Sequence, residues 1–392
     1  MRPMMITTTQ QLTEVCDRFA QLPFVTLDTE FIREKTYWPI LCLIQIASKD
    51  EAYCIDPLAK EIDLTPLFNL LKNEQVVKVF HAARQDIEIF YHLTGFVPTP
   101  LFDTQVAAMV CGFSESVSYQ QLVQELTNTA IDKSMRYTDW SKRPLTDTQV
   151  AYALHDVTHL VNVYEKIKAM LAKNGRESWL DEEAQAMMDP NTYEIPNDLA
   201  WTKVKCHLAH QQQMHVFAKV CAWRERTAKN KNRPRRHIMK DDILQDLAVA
   251  HPTSADQMDL MRSLPKGFSK SAMGMELIEV ISAAMSEEPK KYTPPEKRKT
   301  LSNSQKNLGE LVRLLLAVVS DDLGVAPRVI ADSDDIVDVI NGRANTKAMQ
   351  GWRYDIFGRH VEALKNGSLT FSYNAAKRRV QINNPSQVKN EL

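Results

Sequence analysis

The chain has 392 residues, 44% of them apolar and 25% charged, the balance of a folded globular protein with two or three domains at roughly 150 residues each. The longest stretch without Asp, Glu, Lys or Arg, residues 89–102, is 14 long, short of the roughly 18 a membrane helix needs. Glycine is sparse at 11 residues, and none are spaced as GxGxxG, GxxxxGK or GxSxG, which excludes a dinucleotide fingerprint, a P-loop and a nucleophile elbow.

The N-terminal MRPMMITTTQ lacks the apolar core of a signal peptide. The six cysteines are scattered without a CxxC pair, as expected of reduced core thiols in a cytoplasmic protein. The near-neutral net charge of −1 conceals two unlike halves. Residues 1–195 hold 17 Lys+Arg against 27 Asp+Glu, a net of −10, and residues 196–392 hold 31 against 22, a net of +9. A basic half suits a polyanionic partner, and an acidic half suits a metal site or a solvated surface.

Short apolar runs at 24–28, 40–47, 51–56 and 76–80 read as strands of a largely buried sheet. Helical periodicity follows at 64–71, 84–93, 103–111 and 146–171, the last with Thr146 or Asp147 placed to cap it. This is an α/β pattern. From about residue 197 strand signals fade. Pro234-Arg235 with Asp241-Asp242-Ile243 recurs in register as Pro327-Arg328 with Asp334-Asp335-Ile336, which suggests two copies of a helical module. The expected division is 1–195, 197–286 and 301–385, with a Pro- and Lys-rich linker at 287–300.

Three acidic motifs fall on separate elements. Asp28 and Glu30 end the first strand, and side chains two apart share a face of a strand. His81 and Asp86 lie where a strand runs into a helix, and Tyr152 and Asp156 are four apart on one face of the long helix. Each alone reads more readily as a solvated or helix-start acid. In this order, however, four hard-oxygen ligands from separate elements, with a phenol nearby, match what a pair of Mg²⁺ or Mn²⁺ ions requires. Phe102-Asp103-Thr104 reads as a helix cap rather than a ligand.

These motifs resemble those of the tyrosine-containing DEDD 3′→5′ exonucleases. Tyr37-Trp38-Pro39, Leu43-Ile44-Gln45 and Thr138-Asp139-Trp140 with Arg143-Pro144-Leu145 resemble the ribonuclease D family, as does Asp132-Lys133-Ser134. Cys221-Ala222-Trp223-Arg224-Glu225 with Pro234 is similar to HRDC modules, whereas the second copy has no Trp-Arg before Pro327 and is degenerate. The resemblance implies a ribonuclease H-like mixed-sheet exonuclease domain followed by two all-α modules. It implies hydrolytic removal of nucleoside 5′-monophosphates from RNA 3′ ends, such as those of tRNA precursors, with no membrane and no obligate protein partner. Carried over by motif position, Asp28, Glu30 and Asp156 hold one divalent cation, Asp28 and Asp86 hold the other, and Tyr152 orients the attacking water. A DNA 3′→5′ exonuclease and a non-catalytic RNA-binding protein are the alternatives.

The stretch 219–240 carries nine Lys+Arg against one acid, Glu225, which makes Arg224, Arg233, Arg235 and Arg236 candidates for phosphate contact. His81 and Gln85 are candidates to touch substrate, and Tyr37 and Trp38 either stack on a terminal base or pack on the sheet. His155 and His159 have the spacing of a zinc helix but Asp156 where a zincin needs Glu. Cys206, His207, His210 and His215 are too few soft ligands on one face for a structural zinc site.

Overall fold

The computed structural model describes residues 4–131, 135, 138–292, 301–343 and 345–383. Six strands, β1 (Met4–Ile6), β2 (Phe24–Ile32), β3 (Ile40–Ala47), β4 (Ala52–Ile55), β5 (Val77–Phe80) and β6 (Leu101–Asp103), form one mixed sheet in the order β1-β4-β3-β2-β5-β6. β2 is antiparallel to β3 and parallel to β5, which is parallel to β6. The four expected strands are present, and the three-residue β1 and β6 complete the sheet at its two edges.

Helices α1 (Thr9–Phe19), α2 (Thr65–Lys72) and α3 (Arg84–Thr94) cover one face of this sheet, where Leu12, Leu67, Ile87 and Phe90 pack with Val25 and Leu27. After α4 (Thr104–Val110) and α5 (Tyr119–Thr127), the long α6 (Asp147–Asn174) lies on the other face and accepts a hydrogen bond from Thr26 Oγ1 at the Val157 carbonyl, 2.9 Å away. Its start is fixed by a capping box between Thr146 and Gln149.

The helices beyond α7 (Asp181–Met188) fall into two groups. The first, α8 (Gln211–Asn230), α9 (Arg235–Ile238), α10 (Asp241–Ala250), α11 (Ala255–Asp259) and α12 (Ala272–Ser286), has its own core around Phe217, Trp223, Leu247 and Ile281. The second comprises α13 (Asn303–Leu323), α14 (Pro327–Ile330), α15 (Ser333–Ile340), α16 (Gly351–Arg353) and α17 (Arg359–Lys365). The repeated Pro…Asp-Asp-Ile motif makes the same local structure twice, a one-turn helix (α9 or α14) followed by a longer one (α10 or α15).

The second group departs from the all-helical expectation in ending on a β-hairpin, β7 (Thr370–Asn374) and β8 (Arg379–Asn383). Nor is it a separate body. Its Leu315, Ile330 and Phe357 share one hydrophobic cluster with Leu160, Val163 and Ile167 of α6. Trp179 and Trp352 stack at 4.0 Å across the join, and the buried Arg353 pairs with Glu182 and Glu183. The expected linker from residue 293 onward, and Asp132, Lys133 and Ser134, lie outside the described residues. No helix among the described residues is long and apolar enough to cross a membrane.

Candidate active site

β2 runs on past β5. Its last paired residue against β5 is Thr26, opposite Val79, so Asp28, Thr29 and Glu30 project beyond that partner strand while remaining paired with β3. Alternation turns Asp28 and Glu30 toward α6, where Asp156 faces them. One carboxylate oxygen from each of the three lies within 4.8 Å of the others. Asp86 comes from the opposite face, in the first turn of α3, and reaches the free end of β2, where Thr29 Oγ1 donates to its Oδ1 at 2.5 Å. Asp86 therefore flanks the three-carboxylate group without belonging to it, although Asp28 and Asp86 are close enough to perturb each other.

The electrostatics are those of a site short of positive charge. Burial, then repulsion from Asp156, drives Asp28 far above the usual carboxylate range. Burial, then Asp28, Asp156 and Asp86, pushes Glu30 up to about 9. Asp86 is raised by burial and Asp28, against the hydrogen bond from Thr29, and burial pushes Asp156 up to about 7. Four hard-oxygen donors that resist ionising together fit divalent cations, whose charge removes the repulsion.

Asp28 and Asp156 open on a cleft of about 310 Å³ lined also by Leu27, His81, Gln105, Tyr119, Tyr152 and Leu160. Tyr152 stands one helical turn before Asp156, its ring 6.2 Å from that of the buried Trp140. Trp140 is held in turn by Arg143, which donates to the Trp140 and Cys42 carbonyls and grips both oxygens of Asp56 at 2.7 Å. The Thr138-to-Pro144 stretch thus braces the phenol. Tyr119 was not singled out in the sequence. Its hydroxyl donates to the Asp156 carbonyl at 2.5 Å, and burial together with Asp156 and Asp28 raises it well above the usual phenol range. Gln45 was noted only for its motif. It sits directly across the strand pair from Asp28, fully buried, with neither side-chain amide atom hydrogen-bonded.

Two family models match parts of the chain. Residues 3–172 match the 3′-5′ exonuclease family model, and residues 213–281 match the HRDC domain. The ribonuclease D of Bartonella henselae is 44% identical over 369 residues, spanning 94% of this chain and 91% of that protein. The chain belongs to the ribonuclease D family. That of Nitrobacter hamburgensis is 43% identical over 94% of this chain and 96% of its own length. The crystal structure of Escherichia coli RNase D superimposes with a TM-score of 0.76 at 25% identity, covering 94% of this chain and 99% of that one.

Within this ribonuclease D framework several expected substrate contacts are corrected. Tyr37 is buried: its hydroxyl donates to Glu225 and accepts from Arg235 at 2.7 Å, and its amide with that of Trp38 donates to Asn232 Oδ1. Trp38 stacks on His92 at 3.9 Å, with the edge of Tyr37 against it. Both aromatics join the exonuclease sheet to the first helical group; the buried Tyr37 ring is closed to a base, and the half-buried Trp38 has one face taken by His92. Arg224 is buried, donating to the Met239 carbonyl at 3.0 Å and to Asp241 at 2.7 Å, whereas Arg235 pairs with the buried Glu225 while its own side chain stays exposed. Arg233 and Arg236 remain exposed, Arg236 with a loose pair to Asp241. His81 lines the cleft with Nδ1 3.0 Å from Thr104 Oγ1, whereas Gln85 is exposed and does not line it.

Proposed function

We propose that this 3′→5′ exoribonuclease trims structured RNAs such as tRNA precursors, releasing nucleoside 5′-monophosphates with two divalent cations, Mg²⁺ or Mn²⁺, in the cleft. The observation that carries the reading is the meeting of Asp28, Glu30 and Asp156 within 4.8 Å, with Asp86 alongside. Asp28, Glu30 and Asp156 would hold the cation on the nucleophile side, and Asp28 with Asp86 the other. When bound, the cations activate water and offset charge on the leaving oxygen. Tyr152 orients the attacking water: a free phenol titrates near pH 10, so its hydroxyl serves as a hydrogen-bonding group rather than as a base. The apolar Leu27 and Leu160 border the acids and limit water around the scissile bond.

Structured RNA fits the charge division, an acidic cleft that cations neutralise beside a basic helical half that meets phosphates. The E. coli neighbour is itself described as an exoribonuclease involved in structured RNA processing. The segment 301–385 is best read as a degenerate HRDC-like module whose present task is to brace α4 and α6 through their common core. A 5′-labelled tRNA precursor with an extended 3′ tail, given Mg²⁺ or Mn²⁺, should shrink as a stepwise ladder. Internal cuts, or loss of the 5′ label first, would overturn the assignment.

The basic run divides by burial into two testable sets. Arg233→Ala with Arg236→Ala should reduce the magnitude of the salt slope of RNA binding by about 1–2, since each phosphate contact contributes roughly 0.7–0.9, and should leave the melting temperature in place. Arg224→Ala should instead destabilise the helical module by about 2–3 kcal/mol, the worth of charge-assisted hydrogen bonds in a buried setting. Melting curves and a salt titration of RNA affinity distinguish the two.

A further inference from the structure

Helix α3 begins without a cap of its own. Its N-cap residue is Ala83, which has no side-chain acceptor for the helix's unpaired N–H groups, and the preceding Ala82 sits at φ +57, a left-handed conformation that a residue with a Cβ resists. The missing acceptor arrives from another strand. Asp103 ends β6 directly opposite Phe80, the last residue of β5. Its Oδ1 accepts from the Ala82 N–H at 3.0 Å and its Oδ2 from the Ala83 N–H at 2.9 Å. The same carboxylate also caps α4, accepting from the Gln105 N–H at 2.8 Å. Next to it, Thr104 donates to the Phe80 carbonyl at 3.1 Å and meets His81 Nδ1.

The turn at 80–83 is thus pinned on successive residues by the pair Asp103-Thr104. Asp86 follows three residues after Ala83, within the first turn of α3, and its carboxylate accepts from Thr29 at the far side. Any shift of the start of α3 carries Asp86 away from Asp28. Asp103 itself is buried and lies outside the three-carboxylate group.

We infer that Asp103 is a positioning residue of the cleft: it holds the left-handed turn at Ala82 and thereby places Asp86 for its cation. This rests on the cation role proposed above for Asp86. The test is Mn²⁺ binding to the full chain without RNA, followed by electron paramagnetic resonance, in wild type, Asp86→Ala, Asp103→Ala, Ala82→Gly and the Asp103→Ala/Ala82→Gly double variant. Asp103→Ala should weaken one of the two Mn²⁺ ions by about 10–100-fold, the usual loss when a supporting residue behind a ligand is removed, and leave the other unchanged. Ala82→Gly, which relieves the left-handed backbone, should recover part of that loss and of kcat, with KM little altered throughout.

If Asp103→Ala does not fold, Asp103→Asn, which keeps the shape and one acceptor, is read in the same way. A folded Asp103 variant with both Mn²⁺ affinities and kcat within about twofold of wild type, well below the expected range, overturns the inference. So does an equal weakening of both ions that Ala82→Gly leaves uncorrected. If Asp86→Ala retains both ions, the cation role of Asp86 itself has failed, and that result is separate from any outcome at Asp103.

Discussion

Asp28→Ala should reduce metal-dependent nucleotide release by about a thousandfold or more. A ligand shared by two cations supports several kcal/mol of transition-state charge stabilisation, and each 1.4 kcal/mol or so is a factor of ten in rate. Asp28 also carries a poorly tolerated charge in the metal-free protein, because burial and the facing Asp156 both oppose its ionisation. The same position should therefore separate catalysis from stability. Asp28→Asn, which keeps the shape and removes the ionisable group, should abolish release yet melt no lower than wild type without metal, and higher above neutral pH. Single-turnover release from a 5′-labelled RNA and metal-free melting curves measure the two sides. Release within tenfold of wild type, or a lower metal-free melting point at pH 8, would show that Asp28 is neither the shared ligand nor a strained acid.

The local part of this arrangement was legible in the sequence because it depends on spacing. Period-two alternation placed Asp28 with Glu30, the i, i+4 rule placed Tyr152 with Asp156, and Thr146 announced the start of α6. β1 and β6 were missed because three residues are too few to show alternation; β6 exists through its pairing with β5. Contacts between distant segments were not legible. An Arg-rich run looks uniform on paper, but folding buries Arg224 against Asp241 and pairs the exposed Arg235 with Glu225, while Arg233 and Arg236 face solvent. Whether Tyr37 stacks on a base or packs on the sheet stayed open because nothing nearby in sequence foretells Glu225, 188 positions on. Tyr119 had no motif to mark it, and Asp103 was correctly seen as the cap of α4 while its second hold, on the turn before Asp86, required the β5–β6 register.

The affinity of the cleft for divalent cations should rise with pH, by about tenfold per pH unit for each proton the metal displaces. The direction follows from the raised carboxylates. In the unfolded chain Asp and Glu lose their protons near pH 4, whereas in the folded chain Asp156 holds its proton to about 7 and Glu30 to about 9, with Asp28 and Asp86 also shifted upward. Between these limits the native state binds more protons than the unfolded one, so the cluster's contribution to stability is complete below pH 4 and is lost as pH rises toward 9. Cations reverse that loss, because they bind the deprotonated cluster. The rise in melting temperature caused by saturating Mn²⁺ should accordingly be small at pH 5.5 and grow through pH 8. Subtracting an Asp28→Asn/Glu30→Gln double variant cancels the contribution of titrating groups outside the cluster. The difference between wild type and this variant, without metal, should turn against wild type as pH increases. A difference that is flat with pH, or a Mn²⁺ affinity equal at pH 6 and pH 8, would mean that the four acids do not share one charge-starved site.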